Sequence, residues 1–102
     1  MTNTKPLYIY IASPYTKGDA AENVRRSLEE AESIVQAGNI PFCPLLYHFW
    51  HFYNPHEYEF WIDLSKAWLK RCDALIRLPG ESAGADAEVA IALEYGLKVY
   101  YK

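Results

Sequence analysis

An α/β fold with a short parallel sheet is predicted for this chain by three observations. Four short apolar runs, Leu7–Ala12, Ile40–Cys43, Ala74–Leu78 and Lys98–Tyr101, are spaced along the sequence. The three longer segments between them carry helix start and stop signals. The resulting order, β-α-β-α-β-α-β, implies parallel pairing through right-handed crossovers.

Each element has its own warrant. Leu7 to Ala12 is rich in Ile and Tyr and stops at Ser13-Pro14, which reads as a buried strand. Asp19 to Ala37 reads as a helix: Asp19 and Glu22 have capping-box spacing, with Asp at the cap. Val24, Leu28, Ala31, Ile34 and Val35 form its apolar stripe, and Gly38 ends it. Ile40 to Cys43 is a strand that Pro41 confines to an edge. Leu45 to Tyr53 reads as an aromatic loop. Asn54-Pro55-His56-Glu57 starts a second helix with a cap residue, Pro at the first position and Glu at the third, running to about Arg71. Ala74 to Leu78 is the third strand, stopped by Pro79-Gly80. Ser82 caps a helix that runs to Tyr95 and Gly96, and Lys98 to Tyr101 is the last strand.

These elements fit a flavodoxin-like three-layer sandwich with strand order 2-1-3-4, formed as one domain over residues 1–102. Its switch point lies between the first and third strands, where ligands bind at the carboxyl ends. Ser13-Pro14-Tyr15-Thr16 then faces Pro79-Gly80-Glu81-Ser82 across one crevice.

Bulk composition narrows the function classes. With 102 residues, nine Tyr, three Trp and four Phe, the chain closes a core only narrowly, so part of its aromatic surface is expected between subunits. A net charge of −3 without a basic run argues against a general nucleic-acid binder. Arg25-Arg26 and Lys70-Arg71 are expected to face water. Cys43 and Cys72 are too few for a disulfide framework and read as reduced thiols. Met1-Thr-Asn-Thr-Lys-Pro lacks the apolar core of an export signal, and no run is long enough to span a membrane. A soluble, cytoplasmic protein is expected.

Glu88 is the residue that asks for a function. On a helix its neighbours three and four residues away are Gly84, Ala85, Ile91 and Ala92, none of which can pair with a charge. A carboxylate on such a face is solvated by a cleft, neutralised or used. It can serve as base, metal ligand or nucleophile, or simply hydrogen-bond a tyrosine in a structural role. As a nucleophile at an anomeric carbon it needs a second acid for the leaving group. Asp63 is the natural second carboxyl, with a salt bridge to Lys66 as its plain alternative. Tyr10, near the carboxyl end of the first strand, either reaches the crevice or packs in the core. Asp73, at a helix-to-strand junction, reads as a turn residue.

His48, His51 and His56 do not have zinc-ligand spacing, and Phe49, Trp50, Phe52 and Tyr53 between them point to packing. No metal is expected. The same aromatics could stack a nucleobase or form a subunit interface. Gly80 and Gly84 flank a helix start, an anion site by its free amides, but no dinucleotide or P-loop pattern is present.

Taken together, Tyr10-Ile-Ala-Ser-Pro-Tyr15, Asp63, Cys72-Asp73-Ala74-Leu75 and Gly84-Ala-Asp-Ala-Glu88-Val-Ala-Ile-Ala92 resemble the nucleoside 2-deoxyribosyltransferase family over almost the whole chain. The resemblance implies a flavodoxin-like enzyme without metal or organic cofactor, homo-oligomeric, with active sites shared between subunits. It implies transfer of a 2-deoxyribosyl or ribosyl group between nucleobases through a covalent sugar–glutamate intermediate. By position, Glu88 matches the nucleophile and Tyr10 the tyrosine that orients it. Asp63 matches the aspartate that handles the leaving base, with Ser65 as an alternative alignment. Ala12, Ser13, Pro14, Tyr15 and Gly84 match substrate-binding positions. Ser82 stands where nucleoside transferases tend to have a base-contacting aspartate and where related nucleotide N-glycosidases use a serine to hold a 5′-phosphate. A nucleoside 5′-monophosphate N-glycosidase is therefore the alternative activity, and a non-catalytic nucleotide-binding module the third. The chain stops at its fourth strand, so the 5′ wall of longer relatives is expected to be replaced by a neighbour's His48 or His51.

Overall fold

The computed structural model describes residues 5–102. Met1 to Thr4, part of the stretch read for an export signal, lie outside them. The elements are β1 (Tyr8–Ala12), α1 (Ala20–Gln36), β2 (Ile40–Phe42), α2 (Leu46–Tyr53), α3 (Tyr58–Leu69), β3 (Ala74–Arg77), α4 (Ala83–Glu94) and β4 (Lys98–Tyr101). The sheet is all parallel with order β2-β1-β3-β4, the flavodoxin-like order read from the sequence. Among the described residues no helix is long and apolar enough to cross a membrane.

Strand parity decides which side chains meet which helices. Ile9 and Ile11 of β1, with Ala74 and Ile76 of β3, point to one face and pack with Ile34 of α1. Tyr10, Ala12 and Leu75 point to the other, against Leu69 of α3 and Ala85, Val89 and Ala92 of α4. Two unequal cores result, one on each side of the sheet. Tyr10 lies at the centre of the larger one and is fully buried. Asp73 ties the strand starts together: its carboxylate accepts from the Tyr8 amide at 2.8 Å, and its own amide donates to the Tyr8 carbonyl at 2.7 Å.

Two sequence expectations need correction. Leu45 to Tyr53 is not a loop, because residues 46–53 form α2. Nothing between Pro44 and Asn54 breaks a helix, and the helical spacing lets Tyr47, Trp50 and His51 all pack on Trp61 of α3. The second predicted helix accordingly begins later, at Tyr58. Pro55 disfavours helical backbone at Asn54, which instead terminates α2 with its amide on the Trp50 carbonyl at 2.8 Å.

The face of α1 also differs from its apolar stripe. Asp19 caps the helix as expected, accepting from the amides of Ala21 and Glu22. Glu22 turns outward to Arg25 instead of completing a capping box. The buried positions are Asn23, Ser27 and Ile34, while Leu28 and Val35 are 57% and 54% exposed. The Asn23 amide donates to the carbonyls of Tyr15 and Lys17 at 3.0 and 2.8 Å, and Ser27 Oγ meets Cys43 Sγ at 3.0 Å. The β1–α1 loop needs those donors, so polar residues rotate α1 against the sheet. Arg26 is likewise only half-exposed and donates to Asn23.

This arrangement separates the two kinds of apolar residue in α1 by their expected cost. Ile34→Ala should lose roughly 2–5 kcal/mol in denaturant titration. Leu28→Ala should change stability by no more than about 0.5 kcal/mol.

Candidate functional site

A cavity of about 640 Å³ opens at the carboxyl ends of β1 and β3, the switch point of the sheet. Its rim on one side is the β1–α1 loop, with Ser13, Tyr15, Thr16 and Lys17. On another side stands the start of α4, from Ser82 to Ala85. The two loops touch closely. A Cβ on Gly80, whose φ is +119°, would stand 2.9 Å from the Pro14 ring. The remaining wall is aromatic and comes from α2, α3 and their connection.

Glu88 lies in this cavity, half-buried in the second turn of α4. Strand parity points Tyr10 at it from behind. The Tyr10 hydroxyl donates to Glu88 Oε2 at 2.5 Å and stands 3.1 Å from Ser65 Oγ. Ser65 Oγ is itself 3.5 Å from the same carboxylate oxygen. Burial pushes the Glu88 carboxyl up to about 7, against the lowering effect of the Tyr10 and Ser65 hydrogen bonds and the Arg77 charge. Burial and the adjacent carboxylate raise Tyr10 far above the ordinary phenol value, so it keeps its proton and remains a donor. One oxygen of Glu88 is held, and the group is poised to take or lose a proton near neutral pH.

Arg77 shapes the loop that carries α4. It is 7% exposed, donates to the carbonyls of Leu78 and Gly80, and pairs with Asp86 at 2.8 Å. Ser82 caps α4 by accepting from the Ala85 amide at 3.0 Å. Tyr15 and His48 stack at 4.0 Å between ring centroids, and burial with the neighbouring His51 lowers the His48 imidazole.

The structure gathers Glu88, Ser13, Tyr15, Ser82, Gly84, His48 and His51 around one cavity, with Tyr10 directly behind. Ala12 and Pro14 do not line it; they are buried beneath its rim. Asp63 is not brought to the site. It is exposed on α3 and lines no part of the cavity, nor does it pair with Lys66. Two residues along a helix turn a side chain by about 200°. With Ser65 facing the core, Asp63 must therefore face away. Ser65, the alternative alignment, occupies the contact with Glu88. A signal for it existed: Ser65 shares a helical stripe with Ile62 and Leu69, where a small hydroxyl is out of place. Arg77, Trp61, His56 and Tyr47 carried no comparable mark. Among the described residues Glu88 is the sole acidic side chain of the cavity, and no three His, Cys, Asp or Glu are placed to hold a metal ion.

The raised carboxyl has a consequence for stability. Glu88 binds its proton more tightly in the folded chain than in the unfolded one, where its value is 4.5. Its contribution is therefore fully present below that pH and is lost as the pH climbs through about 7. Glu88→Gln should match wild type at pH 4. It should become more stable than wild type above pH 8, on the order of 2 kcal/mol, which paired denaturation curves would measure.

No curated protein matches the sequence. Among solved structures, a 2-deoxyribosyltransferase from the psychrotolerant bacterium Bacillus psychrosaccharolyticus has the same fold, with a TM-score of 0.68 and 18% identity. The match covers 92% of this chain and 70% of that one. Over residues 7–102 the sequence matches the model of a family described as a domain of unknown function (DUF7768), and the chain belongs to that family.

Proposed function

We propose that this chain is an enzyme that moves a 2-deoxyribosyl or ribosyl group between nucleobases. The observation that carries this reading is the half-buried Glu88 carboxylate, held through one oxygen by Tyr10 on the wall of a cavity with aromatic sides. Its other oxygen attacks the anomeric carbon of a nucleoside. The N-glycosidic bond breaks, its electron pair leaves with the base, which takes a proton from water, and a glycosyl ester forms on Glu88. A second base then attacks the same carbon, gives up its ring N–H proton to water, and releases the carboxylate. Tyr10 and Ser65 fix the nucleophile by donating to it, and the Tyr15–His48 stack offers a face to the base. Asp63 takes no part.

A second reading is hydrolysis of a nucleoside 5′-monophosphate by the same nucleophile. It is favoured by the cavity rim, where Lys17, paired with Glu81 at 3.5 Å just before the Ser82 cap, stands beside the start of α4. The fold of the 2-deoxyribosyltransferase supports both readings equally.

The functional unit is a homo-oligomer in this reading, and the whole chain is one transferase-like domain. The support is the apolar outer face of α2, on which Leu46, Phe52 and Tyr53 are 72%, 70% and 88% exposed. Analytical ultracentrifugation should find a dimer or larger species, and a monomer at all concentrations would remove this part.

Chromatography of enzyme with deoxyinosine and free adenine tests the activity. Deoxyadenosine should appear with wild type and fall by several orders of magnitude with a folded Glu88→Ala. Free sugar without deoxyadenosine would mean hydrolysis. Turnover of the free enzyme should rise with pH through about 7, as Glu88 ionises, and that profile should be unchanged in Asp63→Asn.

A further inference from the structure

One polar group in the cavity wall is fixed more tightly than a binding surface requires. His51, in the last turn of α2, uses its Nδ1 as an acceptor for two donors. The Trp61 indole N–H reaches it at 3.0 Å and the His56 backbone amide at 3.2 Å. A ring nitrogen that accepts carries no proton, so a neutral imidazole in this setting must hold its proton on Nε2. Nε2 has no protein partner among the described residues, and it is not sealed from solvent. His51 lines the cavity, and so do both of its donor residues.

We propose that Trp61 locks His51 in its Nε2–H tautomer, making it a fixed hydrogen-bond donor that recognises a lone pair on the nucleobase, a ring nitrogen or a carbonyl oxygen. This rests on the nucleoside reading above. The base is the part of the ligand concerned because the flat groups around His51, namely His48, His56 and Trp61, suit stacking. A donor there also steadies the charge that the base gains as the glycosidic bond breaks, in a cavity whose sole acid among the described residues is Glu88. Trp61 acts only through His51 and is a positioning residue.

The first test is the imidazole nitrogen spectrum of the full chain labelled at histidine. His51 should show a pyridine-type Nδ1 and a pyrrole-type Nε2, and Trp61→Phe, which leaves only the longer bond from the His56 amide on Nδ1, should let in a measurable share of the other tautomer. A protonated Nδ1 in neutral wild type would overturn the proposal. Free hypoxanthine should move the Nε2 signal; movement only with the intact nucleoside would overturn the base assignment.

The second test separates ligand recognition from a purely structural bond. His51→Asn keeps a carbonyl oxygen near the Nδ1 position and deletes the Nε2 donor, while His51→Gln keeps a donor near Nε2. The Asn variant should melt near wild type and raise KM for deoxyinosine about tenfold. The Gln variant should recover most of that loss. An unchanged KM in His51→Asn would overturn the proposal. Should wild type turn over no nucleoside, the activity reading fails on its own, and the tautomer and hypoxanthine shifts still decide this one.

Discussion

The structure turns on a carboxylate drawn out of water and held by a phenol that cannot move. Tyr10 is fixed because β1 is the second strand of the sheet, paired on both sides, with Tyr10 opposite Phe42 and Leu75. Phe42 packs on it from the edge at 5.4 Å, and Trp68 stacks on Phe42 in turn. The donor that meets Glu88 is thus anchored in the larger core, and its position costs no ordering when a ligand arrives. The carboxylate stands on α4, whose loop is drawn tight by Arg77. Sheet, loop and helix converge on one oxygen atom.

That convergence explains why so small a domain can carry a raised carboxyl. Burial works against the charged form, while two hydroxyls and the Arg77 guanidinium work for it. The balance leaves Glu88 neither permanently charged nor permanently neutral. A structural carboxylate with the same neighbours would gain more from full solvation or from a close cation. Arg77 could have been that cation, yet its hydrogen bonds go to Leu78, Gly80 and Asp86 instead.

Much of the fold was legible because strands, crossovers and caps follow local rules. Pro41 marked the edge, Ser82 and Asp19 the caps, and the alternation of elements the strand order. Glu88 stood out because its helical neighbours could not pair with it. The aromatic segment was misread since run-length and aromatic content do not distinguish a loop from a helix packed on another helix. Asp63 attracted attention by its chemistry, but helical phase puts Ser65 in the site. The buried face of α1 was hidden for the opposite reason: Asn23 and Ser27 look like surface residues until a loop needs their hydrogen bonds. The histidines gave least away, as the partners of His51 come from a helix junction that the sequence placed elsewhere.

The decisive event in the proposed reaction is a bond between Glu88 and a sugar. Rapid acid quench of the wild-type protein with deoxyinosine, followed by peptide mass spectrometry, measures it directly. The expected result is one deoxyribosyl group on the peptide carrying Glu88, lost when free adenine is added before the quench. An enzyme that turns over steadily with no adduct, or with the adduct on another residue, would contradict it.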